Sequence, residues 1–114
     1  MTITIRATNM EMTETIRAYA EEKFMSLEKF FDNIQTIDID MGVNSNHHQK
    51  GNIFYTVANV TIPGKLLRVE RDSEDLYKSI GKVKDHLRVE LHDMKEKMLH
   101  HDRDSVRDNK TYTV

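Results

Sequence analysis

One apolar stripe in the second half of the chain limits the fold more than any other feature of the sequence. From position 76 to position 98 apolar side chains recur every three or four residues, which predicts a long helix with one buried face. The stripe consists of Leu76, Ile80, Val83, Leu87, Leu91, Met94 and Met98. Asp72 or Ser73 is expected to cap the start of this helix, and His100 to lie near its end. A helix with a single apolar face must bury it against another element, so the rest of the chain has to supply that surface.

A second helical stripe, near the N-terminus, has a lysine within it. Thr13 is placed to cap a helix that continues to about Phe31, and Lys23 lies on its apolar face. The apolar members of this face are Ile16, Tyr19, Ala20, Phe24, Leu27, Phe30 and Phe31. A buried ammonium is costly unless it reaches water or an anion, so Lys23 either extends its head into solvent or faces a phosphate.

The remaining segments alternate apolar and polar residues, as strands do. They are 2–7, 34–43, 54–62 and 67–69. The polar stretch 44–52 is expected to be a hairpin loop between antiparallel strands, and Pro63-Gly64 a tight turn. The sequence therefore predicts an α+β two-layer sandwich, a four-stranded sheet with two helices on one face in the order β-α-β-β-β-α. This domain is expected to cover residues 1–100, with a mobile C-terminal tail at 101–114.

Composition narrows the function classes. The 114 residues include no cysteine, which removes disulfides and thiolate chemistry, and no apolar stretch resembles a signal peptide or a membrane span. We therefore expect a cytoplasmic protein with no membrane partner. The net charge of -2 gives no global attraction to nucleic acid, so any such binding must come from a local arrangement of cations.

Candidate catalytic and metal sites are weak. Asp38 and Asp40 share the outer face of the predicted sheet, but that face is polar and expected to be solvated, with Thr2, Thr4 and Arg68. The adjacent histidine pairs, 47–48 and 100–101, each offer at best one ligand to a given ion, because neighbouring side chains point apart. We expect no enzymatic activity, no metal, no cofactor and no small-molecule substrate.

Basic residues along the two helices are the stronger candidates, as a cationic ridge for a phosphate backbone. They are Arg17, Lys23, Lys29, Lys78, Lys82, His86, Arg88, Lys95 and Lys97, where His86 contributes only when protonated. Acidic residues are interspersed along the second helix, and the same pattern also fits ordinary solvated positions. Few aromatic residues are predicted on the outer sheet face, so shape and phosphate contacts would dominate any RNA binding.

The order and spacing of several short motifs carry a family resemblance over residues 2–99. These motifs are Ile3-Thr4-Ile5-Arg6-Ala7, Thr13-Glu14-Thr15-Ile16-Arg17, Lys23-Phe24, Leu27-Glu28-Lys29-Phe30-Phe31, Asp75-Leu76-Tyr77 with Ile80, and Leu87, Leu91, Lys95 and Lys97. The chain resembles the bacterial ribosome hibernation promoting factors and the ribosome-associated inhibitor A, formerly called sigma-54 modulation proteins. The resemblance implies a fold like that of a double-stranded-RNA-binding domain. It also implies binding to rRNA of the small ribosomal subunit in the decoding channel, and inhibition of translation during stress or stationary phase. Basic helix residues face rRNA in that family.

Three positions depart from the family pattern, in which lysine or arginine is usual where this chain has His86, Val89 and Asp93. The resemblance therefore implies ribosome binding that is weaker, differently oriented or more dependent on the other helix cations. The alternative is a non-ribosomal interaction or regulatory module on the same fold. The 14 residues after position 100 are too few for the dimerisation domain of long family members, so the chain resembles a short form, with ribosome dimerisation and a homodimer left open.

Overall fold

The computed structural model describes the backbone of residues 1–44 and 53–113, and the side chains of residues 1–44 and 53–98. Its elements follow the predicted order. They are β1 (Thr2–Thr8), α1 (Glu14–Met25), a 3-10 helix (Ser26–Lys29), β2 (Thr36–Asn44), β3 (Ile53–Ile62), β4 (Lys65–Ser73) and α2 (Leu76–Thr113). The predicted loop 44–52 lies, apart from Asn44, outside the described residues.

The strands form one sheet in the order β1-β2-β3-β4. β1 runs parallel to β2, and the other two pairings are antiparallel. Register places Ile5 beside Ile39, Ile39 beside Ala58, and Ala58 beside Val69, so the alternating apolar residues of all four strands share one face. The predicted antiparallel pairing across the hairpin is confirmed.

Both helical stripes are buried in a single core on that face. Phe24 and Leu27 come from the first stripe, and Ile80, Leu87 and Leu91 from α2, and all five are fully buried among the inward residues of the sheet. α1 contacts β1, α2 contacts β3 and β4, and the helices contact each other. The predicted α+β two-layer sandwich is confirmed.

Helix boundaries differ from the sequence prediction. α1 ends at Met25 and tightens into the 3-10 helix instead of continuing to Phe31, and the Ser26 hydroxyl donates to the Lys23 carbonyl at 2.6 Å. Serine often forms such local bonds in competition with the regular helix. The predicted Thr13 cap is confirmed, since its hydroxyl oxygen accepts from the Ile16 amide at 3.1 Å.

α2 begins later and extends further than expected. The expected cap at Asp72 or Ser73 is wrong, because both residues are still paired in β4. Asp75 takes that role, and its carboxylate accepts from the Tyr77 amide at 2.9 Å. The helix continues to Thr113 instead of ending near His100, and the sequence after Gly81 contains neither glycine nor proline to stop it. The mobility of residues 101–114 stays a prediction.

The outer sheet face is less uniformly polar than expected. Val57 is 7% exposed although its side chain points away from the helices, and Leu66 on the same face is 61% exposed. A Cβ at position 42 would collide with the Thr8 carbonyl oxygen and would lie 2.7 Å from the Tyr55 hydroxyl oxygen. Only glycine therefore fits at this position.

A buried hydroxyl pair joins α2 to the sheet. Ser79 donates to the Leu76 carbonyl at 2.7 Å, so Thr56 must be the donor in the 2.7 Å bond between the Thr56 and Ser79 hydroxyls. We expect Thr56→Val to lower the free energy of unfolding in urea by about 1 kcal/mol, because the Ser79 oxygen loses its buried donor. Thr61→Val, on the outer face, is the matched control and should change it by less than about 0.5 kcal/mol. Equal effects of the two variants would contradict this role for the Thr56 hydroxyl.

Candidate nucleic-acid interface

The ammonium of Lys23 adjoins an aromatic ring, and its contact with a phosphate stays a prediction. Its side chain is half-buried on α1, and its Nζ lies 5.3 Å from the centroid of the Tyr19 ring. The Tyr19 ring in turn meets Tyr77 of α2 edge-on, with centroids 4.8 Å apart and planes at 85°. A cation over an aromatic face is stabilised electrostatically, so the ammonium is stabilised at the junction of the two helices, and no carboxylate among the described residues pairs with it.

The α1-facing flank of α2 continues this arrangement. We define it by Tyr77, Lys84, Arg88 and Lys95, which fall within 40° of one another at 100° per residue. The Arg88 guanidinium lies 5.9 Å from the centroid of the Phe30 ring. Arg88 and Phe30 line a cleft of about 330 Å³ together with Val89, His92 and Asp93. A cation that stacks on an aromatic ring keeps its outward N–H groups available to an anion.

The β4-facing flank of α2 consists of Lys82, His86 and Lys97. The Lys82 ammonium donates to the Asp72 carbonyl at 3.2 Å, at the edge of a cleft of about 650 Å³ that Lys78 also lines. His86 lies between two partners, with Nδ1 2.7 Å from Arg71 Nη2 and Nε2 3.1 Å from Glu90 Oε1.

The nine predicted interface residues do not form a single patch. Those on α2 divide between the two flanks, with Lys78 on the outward surface between them, and Lys23 joins the α1-facing flank through Tyr19 and Tyr77. Lys29 is exposed in the 3-10 helix next to Phe30. Arg17 projects about 120° from Lys23 around α1, so it does not join the others.

The cations on α2 are largely free of carboxylate partners. Within the described part of the chain, only Lys84 among the lysines of this helix forms an ion pair, at 3.8 Å with Asp85. Lys82, Arg88, Lys95 and Lys97 are all exposed. From Lys78 to Lys97 the helix rises about 28 Å, so lysine and arginine side chains, of which only Lys84 has a carboxylate partner among the described residues, extend along most of the part of α2 whose side chains are described.

Sequence reasoning missed Arg71 and the role of the aromatic residues. Arg71 continues the inward alternation of Leu67 and Val69 to the end of β4, where it passes the edge of the core and reaches α2. The inward alternation along β4 is therefore the sequence signal that identifies Arg71 as a residue facing α2. The sequence pattern places Tyr19 and Phe30 in the apolar stripe, whereas in the structure each ring also adjoins a cation.

The described residues were also compared with the requirements of a metal site, a carboxylate pair and a membrane span. No three histidine or acidic side chains there are grouped to hold a metal ion, and the histidine pairs at 47–48 and 100–101 lie outside the described side chains. Asp40 pairs with Arg6 at 3.8 Å and accepts from the Thr8 hydroxyl at 2.9 Å, in polar, open surroundings. None of the helices, over those residues, has the length and apolar character to cross a bilayer.

Comparisons with known proteins agree on one family. The profile described as Sigma 54 modulation protein / S30EA ribosomal protein matches residues 3–99. A ribosome hibernation promotion factor from Lactococcus lactis is 32% identical over 104 residues, which cover 90% of this chain and 54% of that protein. The ribosome hibernation promoting factor of Escherichia coli K12 is 27% identical over 89% of this chain and 100% of its own length.

The chain thus spans about half the length of the first of these relatives and the full length of the second. A solved structure, the N-terminal domain of Protein Y from Thermus thermophilus, superposes with a TM-score of 0.72 at 27% identity, over 82% of this chain and 99% of that one. Because the family profile covers the sheet and the described side chains of both helices, this chain belongs to the Sigma 54 modulation protein / S30EA ribosomal protein family.

Proposed function

We propose that this protein binds rRNA of the small ribosomal subunit through the exposed cations of α2 and keeps the ribosome in an inactive, hibernating state. The observation that carries the proposal is the row of lysine and arginine side chains along about 28 Å of α2, of which only Lys84 has a carboxylate partner among the described residues. Relatives named ribosome hibernation factors support the ribosome as the partner. Binding there would place the protein in the cytoplasm.

The contacts we propose are made to phosphates rather than to bases. Tyr19 and Phe30 already carry the Lys23 and Arg88 cations on their rings, so these rings are not open platforms for base stacking. Lysine and arginine heads on two flanks of one helix can reach phosphates on both sides of an RNA groove, and this mode reads shape more than sequence.

The proposal extends to the decoding channel between the head and body of the small subunit. A bound domain in that channel would exclude tRNA and messenger RNA, which would stop translation without chemistry. The family resemblance supports this location. Whether ribosomes also form dimers is a separate question, which a density gradient of 70S ribosomes answers.

Sedimentation of the purified protein with small subunits tests the proposal. We expect co-migration at 50 mM salt and a steep loss of binding by 200 mM, since each neutralised phosphate adds about 0.7 to 0.9 to the logarithmic salt slope. Absence of co-migration at low salt would overturn the proposal and favour a non-ribosomal module. In a parallel gradient of 70S ribosomes, a faster peak would add dimer formation to silencing.

A further inference from the structure

Arg71 is an exposed arginine whose guanidinium contacts one acceptor on its own strand and one on α2. Its Nη1 donates to the Glu70 carbonyl at 2.7 Å, and its Nη2 lies 2.7 Å from Nδ1 of His86. These are its only polar partners among the described residues, and neither is a carboxylate. Two hydrogen bonds therefore orient the guanidinium, and no described carboxylate pairs with it.

The hydrogen-bonding capacity of arginine shows which ring nitrogen of His86 accepts in this contact. Because a guanidinium can only donate, Nδ1 of His86 must accept, and the hydrogen of the neutral ring lies on Nε2. That hydrogen faces Glu90 Oε1 at 3.1 Å. Of the five N–H groups of Arg71 two are used, so three remain to bind an anion, enough for a bidentate phosphate contact.

We propose that Arg71, positioned by His86, forms a phosphate-binding site on the β4-facing flank of α2 and supplies from β4 the cation that position 86 itself does not supply. This inference rests on the proposed function, since the phosphate is one of rRNA. Lys82 lies one helical turn before His86 on the same flank and extends the site along α2.

A neutral histidine suits this task better than a charged residue. A carboxylate at position 86 would hold Arg71 but neutralise it, and an ammonium there would repel it. The charged side chains that contact the ring are Arg71 from β4 and Glu90 from α2. His86 is therefore a positioning residue, and Arg71 the residue that contacts phosphate.

Arg71→Gln tests the site, with Arg68→Gln as the matched control. Arg68 is also exposed on β4, but it points to the opposite sheet face, away from α2. Binding is measured with two probes, small ribosomal subunits and a short RNA duplex, over a salt series. We expect Arg71→Gln to weaken binding about tenfold and to reduce the salt slope by about one, whereas Arg68→Gln stays within about twofold.

Two variants of His86 test positioning. His86→Leu removes the acceptor and should weaken binding about threefold with the salt slope unchanged, since the guanidinium remains but is no longer held. His86→Gln can still accept from Arg71 and should restore wild-type binding. Urea midpoints of all variants within the error of wild type would show that the fold is intact.

The two probes separate failure of the site from failure of the function. If wild type binds subunits and Arg71→Gln behaves like Arg68→Gln, the site is wrong and the function stands. If wild type binds only the duplex and Arg71→Gln weakens that binding, the site stands and the ribosomal function is wrong. If wild type binds neither probe, both are wrong.

Discussion

Replacing Lys82, Arg88, Lys95 and Lys97 together by glutamine should lower the affinity for small ribosomal subunits by about 10³-fold or more. Each contact between a cation and a phosphate is worth about 1.5 kcal/mol at the low end, so four of them amount to several orders of magnitude. The salt slope should fall by about three, because roughly 0.7 to 0.9 of a counterion is released per phosphate contact. The measurement is equilibrium sedimentation at several salt concentrations.

The variant should fold, because all four side chains are exposed and glutamine is nearly as good a helix former as lysine or arginine. Arg88→Gln loses the contact with Phe30, which at an exposed site is worth about 0.5 to 1 kcal/mol. The control is Arg6→Gln with Arg68→Gln, two exposed cations on the opposite sheet face. If net charge alone governed binding, this pair would change the logarithm of the affinity by half as much as the four replacements. That result would contradict the proposed interface.

The fold could be predicted from sequence because each element carries its own periodicity. The alternation in β2 and β3 fixed which side chains face the helices, and Ile37, Ile39 and Ala58 are buried as that pattern requires. The end of α1 could not be predicted this way. The stripe continues unchanged through Leu27 to Phe31, and a local bond from Ser26 decides where the α-helix stops.

The candidate interface could be predicted only in part from the sequence, for a reason that Tyr77 and Arg71 illustrate. Helical spacing shows which cations share a helix, so Lys82 and His86 could be placed on one flank. Spacing within one helix says nothing about which residue of another element reaches that flank. Tyr77 against Tyr19 and Arg71 beside His86 both come from pairings between elements. A count of basic residues on α2 alone therefore underestimates the charge of its β4-facing flank.

The second large expected effect is a gain of affinity for small subunits when lysine is introduced on α2, and its size depends on the position. Val89 is 50% exposed and Asp93 is exposed, and both line the cleft beside Arg88. Val89→Lys with Asp93→Lys should raise the affinity for small subunits about 100-fold, because two phosphate contacts are added and one repulsive carboxylate is removed. The control Val89→Gln with Asp93→Gln removes the carboxylate alone and should gain less than about tenfold.

His86→Lys should behave differently, although the family resemblance implies lysine or arginine at this position. The new ammonium would stand where the ring now accepts from Arg71, so it would displace the guanidinium and pair with Glu90 instead. We expect a gain of less than about twofold in the wild-type background and about tenfold in an Arg71→Gln background. Equal gains from His86→Lys in the two backgrounds would show that the two positions act independently. The non-additive result would mean that Arg71 and a cation at position 86 serve the same phosphate contact, so histidine at position 86 does not by itself weaken RNA binding.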